Sequence, residues 1–222
     1  MSIDVKYLGV TPYESTWNKM KMFTSNRVDS TQDEIWITEH EAIYTLGLNR
    51  KDFKKPLRTD ILVLPVDRGG KITYHGRGQL IIYPLIDLER YHLTIRSFVT
   101  LIEKSIVNFL SRRDIKANAK IEAPGVYIEN KKIASLGLRI KNHASYHGLS
   151  MNIDMDLSPF EAIDPCGFKN LQMTQLKTFT NDVSIEAIGF EANDKRADGL
   201  REVYGGAEDN TGIGIGVIAI KY

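Results

Sequence analysis

The 222-residue chain has a single cysteine, Cys166. An internal disulfide is thereby excluded, in keeping with a reducing compartment. No stretch approaches the ~18 consecutive apolar residues of a spanning helix, so no membrane association is expected. The opening segment MSIDVKYLGVTPYES lacks the basic and apolar blocks of a secretory signal, and the expected location is cytoplasmic. Charge of one sign is also missing. Twenty-nine basic and 28 acidic residues leave a formal +1, too little for a broad phosphate-binding surface, so nucleic acid is not an expected partner. Five dispersed histidines and one cysteine show no ligand spacing, and no metal is expected. The composition that is present, 42% hydrophobic and 26% charged, is that of a globular chain with one sizeable core.

The lone cysteine stands in Asp164-Pro165-Cys166-Gly167-Phe168. A single cysteine is ordinarily a small buried apolar residue. Here Pro165 removes a backbone donor and Gly167 permits an unusual turn, which predicts a tight loop.

The periodicities around it predict a mixed α and β architecture. Tyr13, Trp17, Met20 and Phe23 recur at helical spacing and form one apolar face. Segments 35–38 and 42–46 are rich in β-formers and read as paired strands. Residues 49–56 are basic and aperiodic, a solvated loop whose lysines could meet an acidic partner. The apolar run 61–66 feeds the densest stretch of the chain, Arg68-Gly69-Gly70-Lys71-Ile72-Thr73-Tyr74-His75-Gly76-Arg77-Gly78. Its glycines allow backbone to approach backbone or ligand, so the stretch reads as a substrate groove, with a glycine-turned hairpin as the plainer alternative. Residues 80–88 resume a strand. Ile95 to Leu110 repeats at three and four, with Thr94 placed to cap it and Arg112 and Arg113 to meet its C-terminal dipole. Segments 125–128 and 132–140 flank Glu129-Asn130-Lys131 as a hairpin. Strict alternation in the second strand puts Lys132 on the face of Ala134, Leu136 and Leu138, where a lysine is expected to snorkel to water. Residues 146–154 form a further strand, and Asn181 or Asp182 could cap a short helix before Ile188. Residues 191–222 are polar and glycine-rich before a final apolar run, a tail with no assigned role.

The strings RGGKITYHGRGQL at 68–80, KIASLGLRI at 132–140, HGLSMNIDMDLSPF at 147–160 and PCG at 165–167 together resemble the lipoyl(octanoyl) transferases. The resemblance covers roughly residues 12–189. It implies the α+β fold shared with biotin and lipoate protein ligases, a mixed β-sheet with packed helices, over a catalytic domain at 1–190. It also implies transfer of octanoyl from octanoyl-acyl carrier protein, through a cysteine thioester, to the target lysine of lipoyl domains of 2-oxoacid dehydrogenase complexes and of the glycine cleavage H protein. No cofactor is implied, and a monomer is expected. Carried over by position, Cys166 is the nucleophile and Lys132 its partner. Arg68, Gly69, Gly70, Lys71, Ile72, Thr73, Tyr74 and His75 form the first acyl-binding segment. Ser135-Leu136-Gly137 and Gly148-Leu149-Ser150 form the other two. Arg77 and Ser150 depart from the usual proline and alanine.

A free thiol has a pKa of ~8.5 and is only a few per cent thiolate near neutrality, so the nucleophile needs help. Lys132 could favour the thiolate as an ammonium or take the proton as a neutral amine. His75 and His147 remain alternative thiol partners. The competing readings are an ATP-dependent lipoate or biotin ligase, which would not need Cys166, an amidotransferase between lipoyl domains, and a carrier-protein-binding module with a structural cysteine.

Overall fold

The computed structural model describes residues 3–51, 53–165, 171–181 and 183–185. Cys166 and the 191–222 tail lie outside them, as does most of the helix expected before Ile188. Among the described residues, ten strands form two sheets beside two α-helices. The strands are β1 (Asp4–Thr11), β2 (Glu34–His40), β3 (Ile43–Leu46), β4 (Val63–Pro65), β5 (Ile72–His75), β6 (Gln79–Leu85), β7 (Asn118–Ala119), β8 (Gly125–Ile128), β9 (Lys131–Lys141) and β10 (Ala144–Asn152). The helices are α1 (Tyr13–Ser25) and α2 (Ile95–Ser111). The larger sheet runs β1-β2-β6-β10-β9-β8-β7, with β1 and β2 parallel and the other pairs antiparallel. The smaller runs β4-β3-β5. This is the mixed sheet with packed helices expected for the α+β class.

Helices cover both faces of the large sheet, and that explains its unbroken apolar strands. In β6, Leu80 and Ile82 join Phe98, Ile102, Ile106 and Phe109 of α2. The intervening Ile81, Tyr83 and Leu85 join Met20 of α1 and Trp36. Period-two alternation thus distributes a continuous hydrophobic run between two cores. Thr94 caps α2 as expected, accepting from Ser97 N–H at 3.1 Å, while Ser97 Oγ accepts from Thr94 N–H at 2.9 Å. Such a cap contributes about 1 kcal/mol. A third core lies under the small sheet, where Tyr44, Ile72 and Tyr74 meet Met155 and Phe160.

Three expectations need correction. Segments 35–38 and 42–46 do not pair with each other. Ile35 to Thr38 bond β6 in the large sheet, whereas β3 bonds β4 and β5 in the small one. Two adjacent β-rich runs look the same in sequence whether the chain turns back or crosses to another layer. Ile95, placed in the α2 stripe, is 55% exposed at the first turn, beyond the edge of the sheet contact. Lys132 does not snorkel. It is 1% exposed, and it is out of phase with Ala134. A bulge lets Val126 pair with Ala134 but Tyr127 with Lys132, so Lys132 turns to the face of Tyr127. A one-residue insertion in register reverses a face without altering the hydrophobic pattern.

Candidate active site

The three glycine-containing segments converge on one cleft. The loop before β5 and β5 itself supply Arg68, Gly70, Lys71, Ile72, Thr73 and His75. Strand β9 supplies Ser135, Leu136 and Gly137, and β10 supplies Gly148, Leu149 and Ser150. Two residues of the first segment are placed elsewhere. Tyr74 alternates away into the small-sheet core, its ring 5.5 Å from that of Tyr44. The Gly69 N–H donates to Leu138 O at 3.0 Å, tying the loop to β9. Close strand approach explains the glycine at 148: a Cβ there would lie 2.0 Å from Ile82 O.

Arg68 is 7% exposed and braces the mouth. Its guanidinium donates to Thr45 O at 2.6 Å, to Thr45 Oγ1 at 2.8 and 3.1 Å, and to Gly69 O at 2.9 Å. The apolar wall is short on charge but rich in buried polar rings, including groups that sequence reading passed over. Tyr13, assigned to a core stripe, and Tyr83, assigned to a strand, both line the cleft. His40 and Asp67 stand directly behind it. His147 has φ 57, in the left-handed region that a β-strand residue rarely visits. Alternation is broken there, and the rings of Tyr146 and His147 stack at 5.1 Å.

Hydrogen-bond chemistry fixes the histidine tautomers. His40 Nδ1–H donates to Thr11 O at 2.8 Å, so its Nε2 accepts from Tyr83 OH at 2.7 Å. His75 Nδ1–H donates to Gln79 Oε1 at 2.7 Å, leaving Nε2 to accept from Thr45 Oγ1 at 3.2 Å. His147 Nε2–H donates to Asp67 Oδ1 at 2.8 Å, and its Nδ1 faces Tyr13 OH at 3.4 Å. Burial pushes His40 down to about 4 and His75 down to about 3, the latter helped by the charges of His40 and Arg68. Burial also lowers His147, against the pull of Asp67. Asp67 is raised by burial, but bonds from His147, Tyr146 and Trp17 outweigh this and hold it well below the carboxylate range. The wall is therefore neutral imidazole backed by one satisfied carboxylate. Each imidazole's polar atoms are spoken for, which favours a packing and orienting role over that of thiol partner.

Lys132 lies on β9, three residues before the cleft segment at Ser135. Its backbone N–H donates to Gln172 O at 2.9 Å, and Thr174 N–H donates to its carbonyl at 3.0 Å. Thr174 O in turn accepts from Asn152 Nδ2 at 2.9 Å, and Asn152 Oδ1 accepts from Gln79 Nε2 at 2.9 Å. A bonded chain thus links His75 through Gln79, Asn152 and Thr174 to Lys132. It also ties the strand carrying Lys132 to the segment that follows the PCG string.

A second, wider groove of about 1270 Å³ shares Lys71 and Ile72 with the cleft. Lys51, Lys54, Lys55 and Lys71 line it together with Phe53, Leu57, Glu161 and Asp164, and Asp164 is two residues before Cys166. The basic segment 49–56 thus borders a groove continuous with the cleft.

Residues 12–190 match the lipoyl protein ligase A/B catalytic domain family. The chain is 48% identical over 188 residues to an octanoyltransferase of Shewanella piezotolerans, covering 85% of this chain and 86% of that one. It is 48% identical over 191 residues to an octanoyltransferase of Chromobacterium violaceum, covering 86% and 90%. Among solved structures, a bipartite lipoate protein ligase from Thermoplasma acidophilum superposes with a TM-score of 0.65 at 18% identity, covering 84% of this chain and 78% of that one. A lipoate-protein ligase A bound with ATP superposes at 0.63 and 17%, covering 84% and 80%. The latter two likenesses establish the shared fold, and the near-half identity to octanoyltransferases establishes the reaction class. The chain belongs to the lipoyl protein ligase A/B catalytic domain family and is an acyltransferase that moves octanoyl groups in lipoate biosynthesis.

Proposed function

We propose that octanoyl passes from acyl carrier protein to Cys166 and from Cys166 to a lipoyl-domain lysine, with Lys132 as the partner of the thiol. The supporting observation is the complete burial of Lys132 on a strand hydrogen-bonded to residues 172–174, a few residues along the chain from Cys166. Removing a lysine from water costs free energy that hydrogen bonding or pairing must offset, and a catalytic role accounts for its retention at this position.

In the first step the Cys166 thiolate attacks the thioester carbonyl, an S–C bond forms, and the bond to the pantetheine sulfur breaks. The departing thiolate takes up a proton. In the second step a neutral lysine amine of the lipoyl domain attacks octanoyl-Cys166. An amide bond forms, the Cys166 sulfur leaves, and the amine's surplus proton is lost, so the enzyme returns to its starting state. The cleft between β5, β9 and β10 accommodates the alkyl chain on Ile72, Leu136 and Leu149. Burial there is worth about 0.8 kcal/mol per methylene, which selects eight carbons over much shorter chains. The lysine-lined groove receives the phosphodiester of the donor's pantetheine arm. Residues 1–190 carry the catalytic unit.

Intact-mass measurement after incubation with octanoyl-acyl carrier protein tests the covalent route. The expected result is an octanoyl adduct that is absent in Cys166→Ala, together with loss of transfer. Persisting transfer in Cys166→Ala would refute it. If octanoate plus ATP supports transfer as well as the carrier-protein donor does, the reaction is that of the ligases sharing this fold.

A further inference from the structure

The cleft between β5, β9 and β10 is not uniformly apolar. Ser135 of β9 and Ser150 of β10 stand directly opposite each other in the antiparallel pair, so both side chains leave the sheet on one face. Ile81 of β6 pairs with Ser150 and continues the row. On β5, Ile72 and Tyr74 join the small-sheet core, and Thr73 between them turns to the cleft. Ser150 is 6% exposed and Thr73 7%, and Ser135 is half-buried. Among the described residues none of these three hydroxyls has a hydrogen-bond partner, and each is open to the cleft.

The other buried polar side chains of the lining are engaged. Arg68 is held by Thr45 and Gly69, His75 by Gln79 and Thr45, and Tyr83 by His40. The lining of β10 runs from Ser150 to His147, which is held by Asp67 and faces the Tyr13 hydroxyl. Lys71 stands where the cleft meets the lysine-lined groove. The free hydroxyls set a condition on the occupant. An acyl chain laid across them displaces solvent, and a buried donor left without an acceptor is penalised. Methylenes offer no acceptor. An octanoyl thioester brings one oxygen into the cleft, that of its carbonyl.

We propose that Ser150 and Ser135 donate hydrogen bonds to the carbonyl oxygen of the octanoyl group and so fix the depth at which it lies. Two donors fill the two lone pairs of that oxygen, leaving Thr73 to donate to a serine oxygen. The methylenes then run on between Ile81 and the buried rings of Tyr13 and Tyr83. The inference rests on reading this cleft as the octanoyl site and is independent of which group attacks the carbonyl. It gives a use to Ser150, which stands where the resemblance leads one to expect alanine. The same oxygen takes up negative charge whenever the carbonyl is attacked, so donors placed on it serve the chemistry as well as binding.

Infrared difference spectra of carbonyl-13C-labelled octanoyl-pantetheine bound to the Cys166→Ala protein test this, because the acyl group then stays on the probe. A hydrogen-bonded carbonyl absorbs at lower frequency than a free one, so adding Ser150→Ala or Ser135→Ala should raise the band. The dissociation constant of the probe should rise about three- to tenfold for each, the worth of one neutral hydrogen bond. Ser150→Ala should leave the melting temperature of the ligand-free protein unchanged or higher, since the hydroxyl bonds nothing within the chain; a merely structural serine would lower it. Tyr13→Phe removes a hydroxyl beside His147 and should leave the band in place. A band unmoved by Ser150→Ala overturns the proposal, and so does one that moves only in Tyr13→Phe, which would put the carbonyl at the rings. Ser135→Phe separates the underlying reading by filling the cleft from a half-buried strand position. Undiminished probe binding there removes octanoyl from this cleft, whereas lost binding there with an unmoved band in Ser150→Ala sinks only the carbonyl assignment.

Discussion

Replacing Gly125 by alanine should damage the enzyme well beyond what a methyl group ordinarily does. Gly125 has φ 140, a conformation that residues with side chains rarely adopt. Its added Cβ would stand 2.5 Å from Ala134 O and 2.3 Å from Lys132 Cε. The carbonyl belongs to the sheet backbone and cannot retreat without disturbing β9, while the lysine can retreat only by leaving its place. Backbone strain of this kind costs about 1–3 kcal/mol, and overpacking a filled interior a further 1–3 kcal/mol. Gly125→Ala is thus expected to lose about 2–6 kcal/mol, read as a fall of about 1–2 M in urea midpoint. Octanoyl transfer should fall more steeply than the folded fraction, because the lysine is displaced. Gly9→Ala supplies the comparison. Gly9 has φ 65 but nothing within 4 Å of its Cβ position, so it reports conformational strain without a clash. It should cost about 1–2 kcal/mol and leave transfer intact. The reasoning fails if Gly125→Ala loses no more stability than Gly9→Ala and transfers octanoyl at the parent rate.

Two further outcomes follow from the buried charges. His40 and His75 have folded values of about 4 and about 3, below the unfolded 6.5, so the folded state binds fewer protons in acid. Their contribution is present above pH 6.5 and is lost as pH falls toward those values, up to about 4 kcal/mol between pH 7 and 5. Urea midpoints that stay level over that range would exclude it. The lysine-lined groove predicts a salt-sensitive donor: Lys54→Gln with Lys55→Gln should raise KM for octanoyl-acyl carrier protein several-fold at low salt and leave KM for the lipoyl domain unchanged. Equal effects on both substrates would point to the acceptor as the occupant.

Much of this protein is written locally in its sequence. The three-and-four spacing of Ile102, Ile106 and Phe109 and the Thr94 cap determine α2, because helix periodicity and capping involve residues within a turn of one another. The glycine clusters mark where backbones must approach closely. The ordered strings from Arg68 to Pro165 identify the family and gather most of the residues around the cleft. The tertiary structure decided what depends on register and on partners distant in the chain. A bulge opposite Tyr127 turned Lys132 inward against the expectation of snorkelling, and a crossover sent β3 to a second sheet instead of back along β2. Tyr13, His40 and Asp67 carry no local signature that distinguishes them from core or surface residues. Their roles come from neighbours 29 to 134 positions away in sequence. Sequence alone thus determines which side chains are available, whereas burial and charge compensation, which set their protonation, are properties of the packed fold.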